Sequence, residues 1–164
     1  MAAAGEASAT SAQPLRVAVN GAAGRMGRAL CTLLGDDRRF VLARAIVPVG
    51  AAQVDEAVYP GAEVPRFTAG WRDAPLLDVV IDFSSPAGLR DALAFCLRTD
   101  TALVTGTTGC DAALRAELAA ASSRIALLRA ANFSLGVAVL ARLVREAAAA
   151  LPDWDAEIVE AHHA

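Results

Sequence analysis

The chain has 164 residues, room for one full domain and a fragment of a second, and 55% of them are apolar, ample for a core. Its net charge of −3 gives no electrostatic footprint for nucleic acid. No apolar run reaches the ~18 uninterrupted residues that a membrane span needs; the longest candidate, Leu135 to Leu151, is broken by Arg142, Arg145 and Glu146.

Residues 1–14 read as a disordered tail. The stretch from Met1 to Gln13 is rich in alanine and serine, holds Glu6 and no basic residue, and so lacks the marks of a signal or transit peptide. Next, the apolar run Leu15–Val19 predicts a buried strand, and Arg25–Leu34 a helix. Val41–Val47, Val79–Asp82, Ala102–Thr105 and Ile125–Leu128 read as further short strands, with helices over Pro86–Arg98 and Asp111–Ala121 between them. Pro86 suits a first helical turn with Ser84 or Ser85 as its cap, because a missing N–H costs nothing there. Val49 to Ala74, rich in Gly and Pro, reads as an irregular connection. Short apolar strands alternating with helices predict an α/β fold, a Rossmann-like doubly wound parallel sheet over residues 15–134.

Leu135 to Leu151 predicts the longest helix, with Leu135, Val139, Leu140, Leu143, Ala147 and Leu151 on one stripe, stopped by Pro152. Ala156 to Ala161 reads as one more strand, leading to His162-His163-Ala164. Residues 135–164 are thus expected to be a hinge helix and the first strand of a second α+β domain. Cys31, Cys96 and Cys110 are odd in number and have no metal spacing, which predicts reduced thiols, a cytoplasmic protein and no metal site.

The chemistry-bearing stretch is Gly21-Ala22-Ala23-Gly24-Arg25-Met26-Gly27, set between a strand and a helix. The first glycine allows a tight turn, the second lets backbone approach phosphate, and the third lets the helix pack on the strand. The N–H groups at the helix start then face an anion. The spacing is GxxGxxG, a departure from GxGxxG. In an open α/β sheet, ligands bind beyond the carboxyl ends of the strands. Those ends carry Asn20-Gly21, Asp82-Phe83-Ser84, Gly106-Thr107-Thr108-Gly109 and Ala130-Ala131-Asn132-Phe133; apart from Asp82 all are small, hydroxyl-bearing, amide or aromatic, groups that suit ribose, phosphate and a flat ring. The same residue types also serve as ordinary caps and turns.

GAAGRMGR (Gly21–Arg28), DFS (Asp82–Ser84), GTTG (Gly106–Gly109), AANFSLGV (Ala130–Val137) and EAHH (Glu160–His163) occur in the order and approximate spacing of 4-hydroxy-tetrahydrodipicolinate reductase, and the chain resembles that family from about Leu15 onward. The resemblance implies NADH- or NADPH-dependent reduction of 4-hydroxy-tetrahydrodipicolinate, a small cyclic dicarboxylate, in lysine (diaminopimelate) biosynthesis. It implies that Gly21, Ala22, Ala23, Gly24, Arg25 and Met26 hold the pyrophosphate and adenosine ribose. Gly106, Thr107 and Thr108, with Ala130, Ala131, Asn132 and Phe133, would hold the nicotinamide half. His162 would donate the proton that completes the reduction, and His163 would contact substrate. An imidazole, with a pKa near neutrality, suits such a donor. Without the resemblance the pair reads as a tag remnant or a frayed strand end, and along a continuing strand the two rings would point to opposite faces.

Two departures bear on function. The carboxylate expected for the adenosine ribose at the end of the second strand is replaced by Ile46-Val47-Pro48-Val49, and Asp36 and Asp37 precede that strand. Weak discrimination between NADH and NADPH follows. The family's basic stretch, lysine and Ser-Gly-Thr turn beyond the histidines are absent, and the chain has no lysine at all. The expectation is therefore a fragment of a longer protein, or a member that has lost its chemistry, with homotetramers formed only by a complete chain. A non-catalytic nucleotide-binding module and another dehydrogenase of the same fold stay open as alternatives.

Overall fold

A computed structural model describes residues 13–61, 64–155 and 157–159. Among them the elements run β1 (Leu15–Asn20), α1 (Arg25–Asp36), β2 (Phe40–Val47), β3 (Phe67–Ala69), β4 (Val79–Asp82), α2 (Pro86–Thr99), β5 (Ala102–Thr105), α3 (Ala112–Ala121), β6 (Leu127–Arg129) and α4 (Leu135–Ala150), strands and helices alternating except that no helix separates β2, β3 and β4. The six strands form one sheet in the order β3-β2-β1-β4-β5-β6, and every pair is parallel. Strand order reverses between β1 and β4, which makes the carboxyl ends of those two strands the switch point where such sheets take ligands. The expected doubly wound α/β architecture is what the chain adopts.

The continuous apolar runs are explained by cover on both faces of the sheet. Side chains alternate along β1: Ala18 joins one core with Val80, Leu89, Leu103 and Leu114, whereas Val17 and Val19 join the other with Cys31, Leu34 and Phe67. Each buried Leu of these clusters contributes roughly 1.5–3 kcal/mol over leaving it exposed. A register shift between Val17 and Ala18 lets the longer β2 stay paired with β1.

Helix starts follow local chemistry. Ser85 caps α2, its side chain accepting from the Gly88 N–H at 3.2 Å, and Pro86 takes the first turn. Asp111 caps α3 by accepting from Leu114 N–H at 2.7 Å, and both its oxygens accept from Arg90 of α2 at 2.9 Å. The Leu114 N–H and then Arg90 hold the Asp111 carboxyl below the usual carboxylate range.

Two expectations are corrected. Val49 to Ala74 is not wholly irregular: Phe67–Ala69 forms β3 on the edge of the sheet, paired Ala45↔Phe67, Ile46↔Thr68 and Val47↔Ala69, and Ala57 bridges Arg66. A three-residue strand has too few positions to show period-two alternation, so only the pairing partner reveals it. Of the strand expected over Ala156–Ala161, the described residues Glu157–Val159 are in no strand, and the remainder lies outside the described residues. An apolar run becomes a strand only where a neighbour meets its backbone donors and acceptors.

The chain divides into two compact units, one ending at Arg129 and one beginning at Ala130. In the second, Ser134 caps α4 through the Val137 N–H at 3.4 Å, and Arg142 pairs with Glu146 at 2.8 Å one turn on. Among the described residues no helix is long and apolar enough to cross a membrane.

Cys31, Cys96 and Cys110 are free and buried. Burial pushes the Cys31 thiol from 9.0 to about 11, and burial together with the nearby Asp82 charge pushes Cys96 from 9.0 to about 12. Above about pH 8.5 the unfolded chain releases protons that the folded thiols keep. Stability from this source is therefore complete below the unfolded value and lost as pH rises toward the folded values. Urea unfolding at about pH 8 and about pH 10 is expected to show a lower midpoint at the higher pH. An unchanged midpoint would contradict the burial argument.

Candidate functional site

The glycine turn shows why three positions lack side chains. Gly21 follows β1 with φ +78°, and a Cβ there would lie 2.3 Å from the Phe83 carbonyl oxygen. Gly27, buried in the first turn of α1, would put a Cβ 2.2 Å from the Gly21 oxygen and 2.6 Å from Ala22 Cα. Gly24 takes the N-cap position, where no side chain caps the helix and no acidic residue occupies the first turn. The first intrahelical bond runs from Arg28 N–H to the Gly24 carbonyl at 2.9 Å. The N–H groups of Arg25, Met26 and Gly27 therefore have no intrahelical partner, and they point out of the positive end of α1.

Not every amide of the turn is available. Gly21 and Ala22 both donate to the Ile46 carbonyl of β2, at 3.1 and 2.9 Å, and Gly24 donates to Gly21. Ala22 is fully buried. These residues shape the turn, and the uncapped helix start presents the donors. Arg28 braces it, its Nε donating to the Ala23 carbonyl at 3.0 Å while its guanidinium lies over the Phe67 ring.

Beneath the turn lies a polar knot whose centre is Asp82, fully buried at the end of β4. One carboxylate oxygen accepts from Asn20 Nδ2 (2.8 Å) and Ser84 Oγ (2.5 Å), the other from Thr105 Oγ1 (2.7 Å) and Thr107 Oγ1 (2.6 Å). Asn20 Nδ2 also reaches Ser84 Oγ and the Gly88 carbonyl, each at 3.0 Å. Thr107 Oγ1 accepts from Ser84 N–H at 2.9 Å. No cation faces Asp82 among these contacts; four donors take up its charge, the arrangement a buried carboxylate needs. The knot ties the carboxyl ends of β1, β4 and β5 to the segments that follow them.

Phe83 links the two glycine segments. Its carbonyl fills the space beside Gly21, and its ring lies where a Cβ on Gly106 would come within 2.2 Å. Phe83 thus packs against both Gly21 and Gly106. Thr107 is buried with its hydroxyl committed to Asp82, whereas Thr108 is exposed. Ala130, Ala131, Asn132 and Phe133 belong to the second compact unit, where Asn132 Oδ1 accepts from Ser134 N–H at 2.7 Å. His162 and His163 lie outside the described residues.

A cleft of about 530 Å³ opens beside the turn, over the ends of β1 to β4. Gly21 and Gly24 line it on one side, Val47, Pro48 and Trp71 on another, and residues of early α2 on a third. Its size is that of a small-ligand site. Asn20 and Phe83, which sequence reading placed at the strand ends without assigning them a cofactor contact, line the cleft, as does Trp71, which it passed over; Thr105 is buried against Asp82. Position at the carboxyl end of a strand marked Asn20 and Phe83, whereas Trp71, lying in the segment read as irregular, gave no such signal.

Comparison with known proteins agrees with this geometry. The family model described as dihydrodipicolinate reductase, N-terminus, matches residues 15–133. The 4-hydroxy-tetrahydrodipicolinate reductase of Xanthomonas campestris pv. campestris (strain B100) is 47% identical over 151 residues, covering 92% of this chain and 61% of the relative. That of Stenotrophomonas maltophilia (strain K279a) is 46% identical over 151 residues, with 92% and 62% covered. A dipicolinate-bound dihydrodipicolinate reductase from Paenisporosarcina sp. TG-14 shares the fold, with a TM-score of 0.63 at 19% identity over 85% of this chain and 56% of its own. The chain spans about three fifths of the length of the curated relatives it matches. On the match across residues 15–133 and these relatives, the chain belongs to the dihydrodipicolinate reductase family, through its N-terminal domain.

Proposed function

We propose that this chain supplies the cofactor-binding part of a 4-hydroxy-tetrahydrodipicolinate reductase, an NAD(P)H-dependent oxidoreductase of lysine (diaminopimelate) biosynthesis in the cytoplasm. The observation that carries the reading is the uncapped start of α1 behind a turn in which Gly21 and Gly27 leave no room for a side chain. A dinucleotide fits this cradle: its pyrophosphate would accept from the N–H groups of Arg25, Met26 and Gly27. When bound, the cofactor supplies the hydride.

The residues around it orient and exclude water. Gly106 to Thr108 are proposed as contacts of the nicotinamide end, and the family resemblance implies the same role for Ala130 to Phe133. His162 is proposed as the proton donor and His163 as a substrate contact, in a complete enzyme whose further residues would clamp the two substrate carboxylates and build the homotetramer. Orientation by such a clamp supplies much of the rate. The 164 residues alone are accordingly expected to bind cofactor weakly and to turn over little.

Selectivity between the two nicotinamide cofactors is proposed to be weak. The end of β2 offers Val47, nearly fully buried, then Pro48 and Val49, so neither a 2′-hydroxyl nor a 2′-phosphate meets a dedicated partner there. Fluorescence titration of this chain should give NADH and NADPH dissociation constants within roughly tenfold of each other. Binding of neither would remove the cofactor reading. Cofactor binding that a pyridine dicarboxylate does not strengthen would favour the reading of a nucleotide-binding module without a working substrate pocket.

A further inference from the structure

We infer that Trp71 is the platform against which the adenine ring of the dinucleotide packs, an assignment that rests on the cofactor reading above. The cleft beside the glycine turn lies over the β1–β4 side of the sheet, and Gly106 to Thr108 follow β5. With the pyrophosphate at the start of α1, the half of a dinucleotide that enters this cleft is the adenosine half.

Trp71 is held as a platform must be. β3 ends at Ala69, and Gly70 turns the chain with φ +66°, a conformation that glycine takes without strain. The indole then stacks on Phe95 of α2, centroids 4.6 Å apart and planes 25° from parallel. Phe95 is buried, so the support beneath the indole is fixed. The next residues are pinned from β2: Arg44 donates to the Arg72 carbonyl at 2.6 Å and to the Asp73 carbonyl at 3.1 Å. Ala87, Asp91 and Phe95 are spaced four apart on α2 and share one stripe, so the ring under Trp71 continues the helix face that lines the cleft.

The chemistry of this end suits a flat neutral ring. Gly70, Trp71, Val47, Pro48 and Val49 present apolar surface, and Asp91 is the one charged residue lining the cleft. A carboxylate opposes a phosphate and tolerates a base. An aromatic ring braced from behind gives a purine the apolar area and stacking geometry that such contacts need.

The chain holds two tryptophans, Trp71 and Trp154, and Trp154 is exposed in the second unit. In the Trp154→Phe chain, emission reports Trp71 alone. Titration with ADP-ribose, which carries the base and no nicotinamide, is expected to quench that emission saturably, and inorganic pyrophosphate to leave it unchanged. By calorimetry, Trp71→Ala should weaken ADP-ribose at least about fivefold, and Trp71→Phe should restore most of it. Calorimetric binding of ADP-ribose without change in Trp71 emission, or equal affinity in Trp71→Ala, would overturn the platform and leave the cofactor reading standing. No binding of ADP-ribose or NADH would overturn both.

Discussion

Replacing Gly21 with alanine is expected to abolish measurable dinucleotide binding and to lower the unfolding free energy by about 3 kcal/mol. Two costs add at this position. The backbone sits at φ +78°, and the new Cβ would meet the Phe83 carbonyl oxygen at 2.3 Å. Relief requires moving backbone on one side or the other, and Phe83 N–H is itself bonded to the Asn20 carbonyl at 3.0 Å. The turn would have to open, taking the start of α1 out of line with the cleft. Two controls separate the costs. Gly50 has φ +80° with nothing within 4 Å of its Cβ position, so Gly50→Ala should cost only the backbone strain, about 1 kcal/mol, and leave cofactor affinity unchanged. Gly27→Ala introduces the clash, 2.2 Å from the Gly21 oxygen, within a helix that otherwise favours alanine. Urea unfolding and NADH titration of the three variants should rank Gly21 worst and Gly50 mildest. A Gly21→Ala chain that binds NADH like the parent would refute the account of the turn.

Asp82→Ala is expected to be the most destabilising polar substitution in the molecule, by about 4 kcal/mol, because it strands donors that water cannot reach. Asn20, Ser84, Thr105 and Thr107 all aim hydrogens at the carboxylate, and Asp82 itself is fully buried. Asp82→Asn should cost about half as much, since the hydroxyls can rotate to accept from the new amide while Asn20 keeps an oxygen to donate to. Thermal or urea unfolding of both variants tests the ranking. Equal losses would mean that cavity formation outweighs hydrogen bonding here. Asp82→Asn is also expected to weaken NADH binding even where it folds, through displacement of Ser84, which bonds to Asp82 and lines the cleft.

Asp82, the one buried carboxylate among the described residues, shows where local reading stops. Asp82 stood out among the residues at the strand ends as the one that is neither small, hydroxyl-bearing, amide nor aromatic, yet nothing in DFS says whether it faces ligand or core. That was decided by Asn20, Thr105 and Thr107, which lie 62, 23 and 25 residues away in the chain. The same applies to Phe83, whose carbonyl and ring explain two glycines from segments far apart in sequence.

By itself, the amino-acid sequence determined the layout of helices and most strands, because apolar runs, a proline at a first turn, and serine or aspartate caps act within a few residues of where they stand. It also determined the glycine turn, since only residues without side chains permit that close approach and that backbone angle. Tertiary structure alone decided the edge strand Phe67–Ala69, the internal role of Asp82 and the place of Trp71 on Phe95. Each of these depends on a partner brought in by the sheet, and a pairing energy that exists only between distant segments leaves no periodic mark on either one.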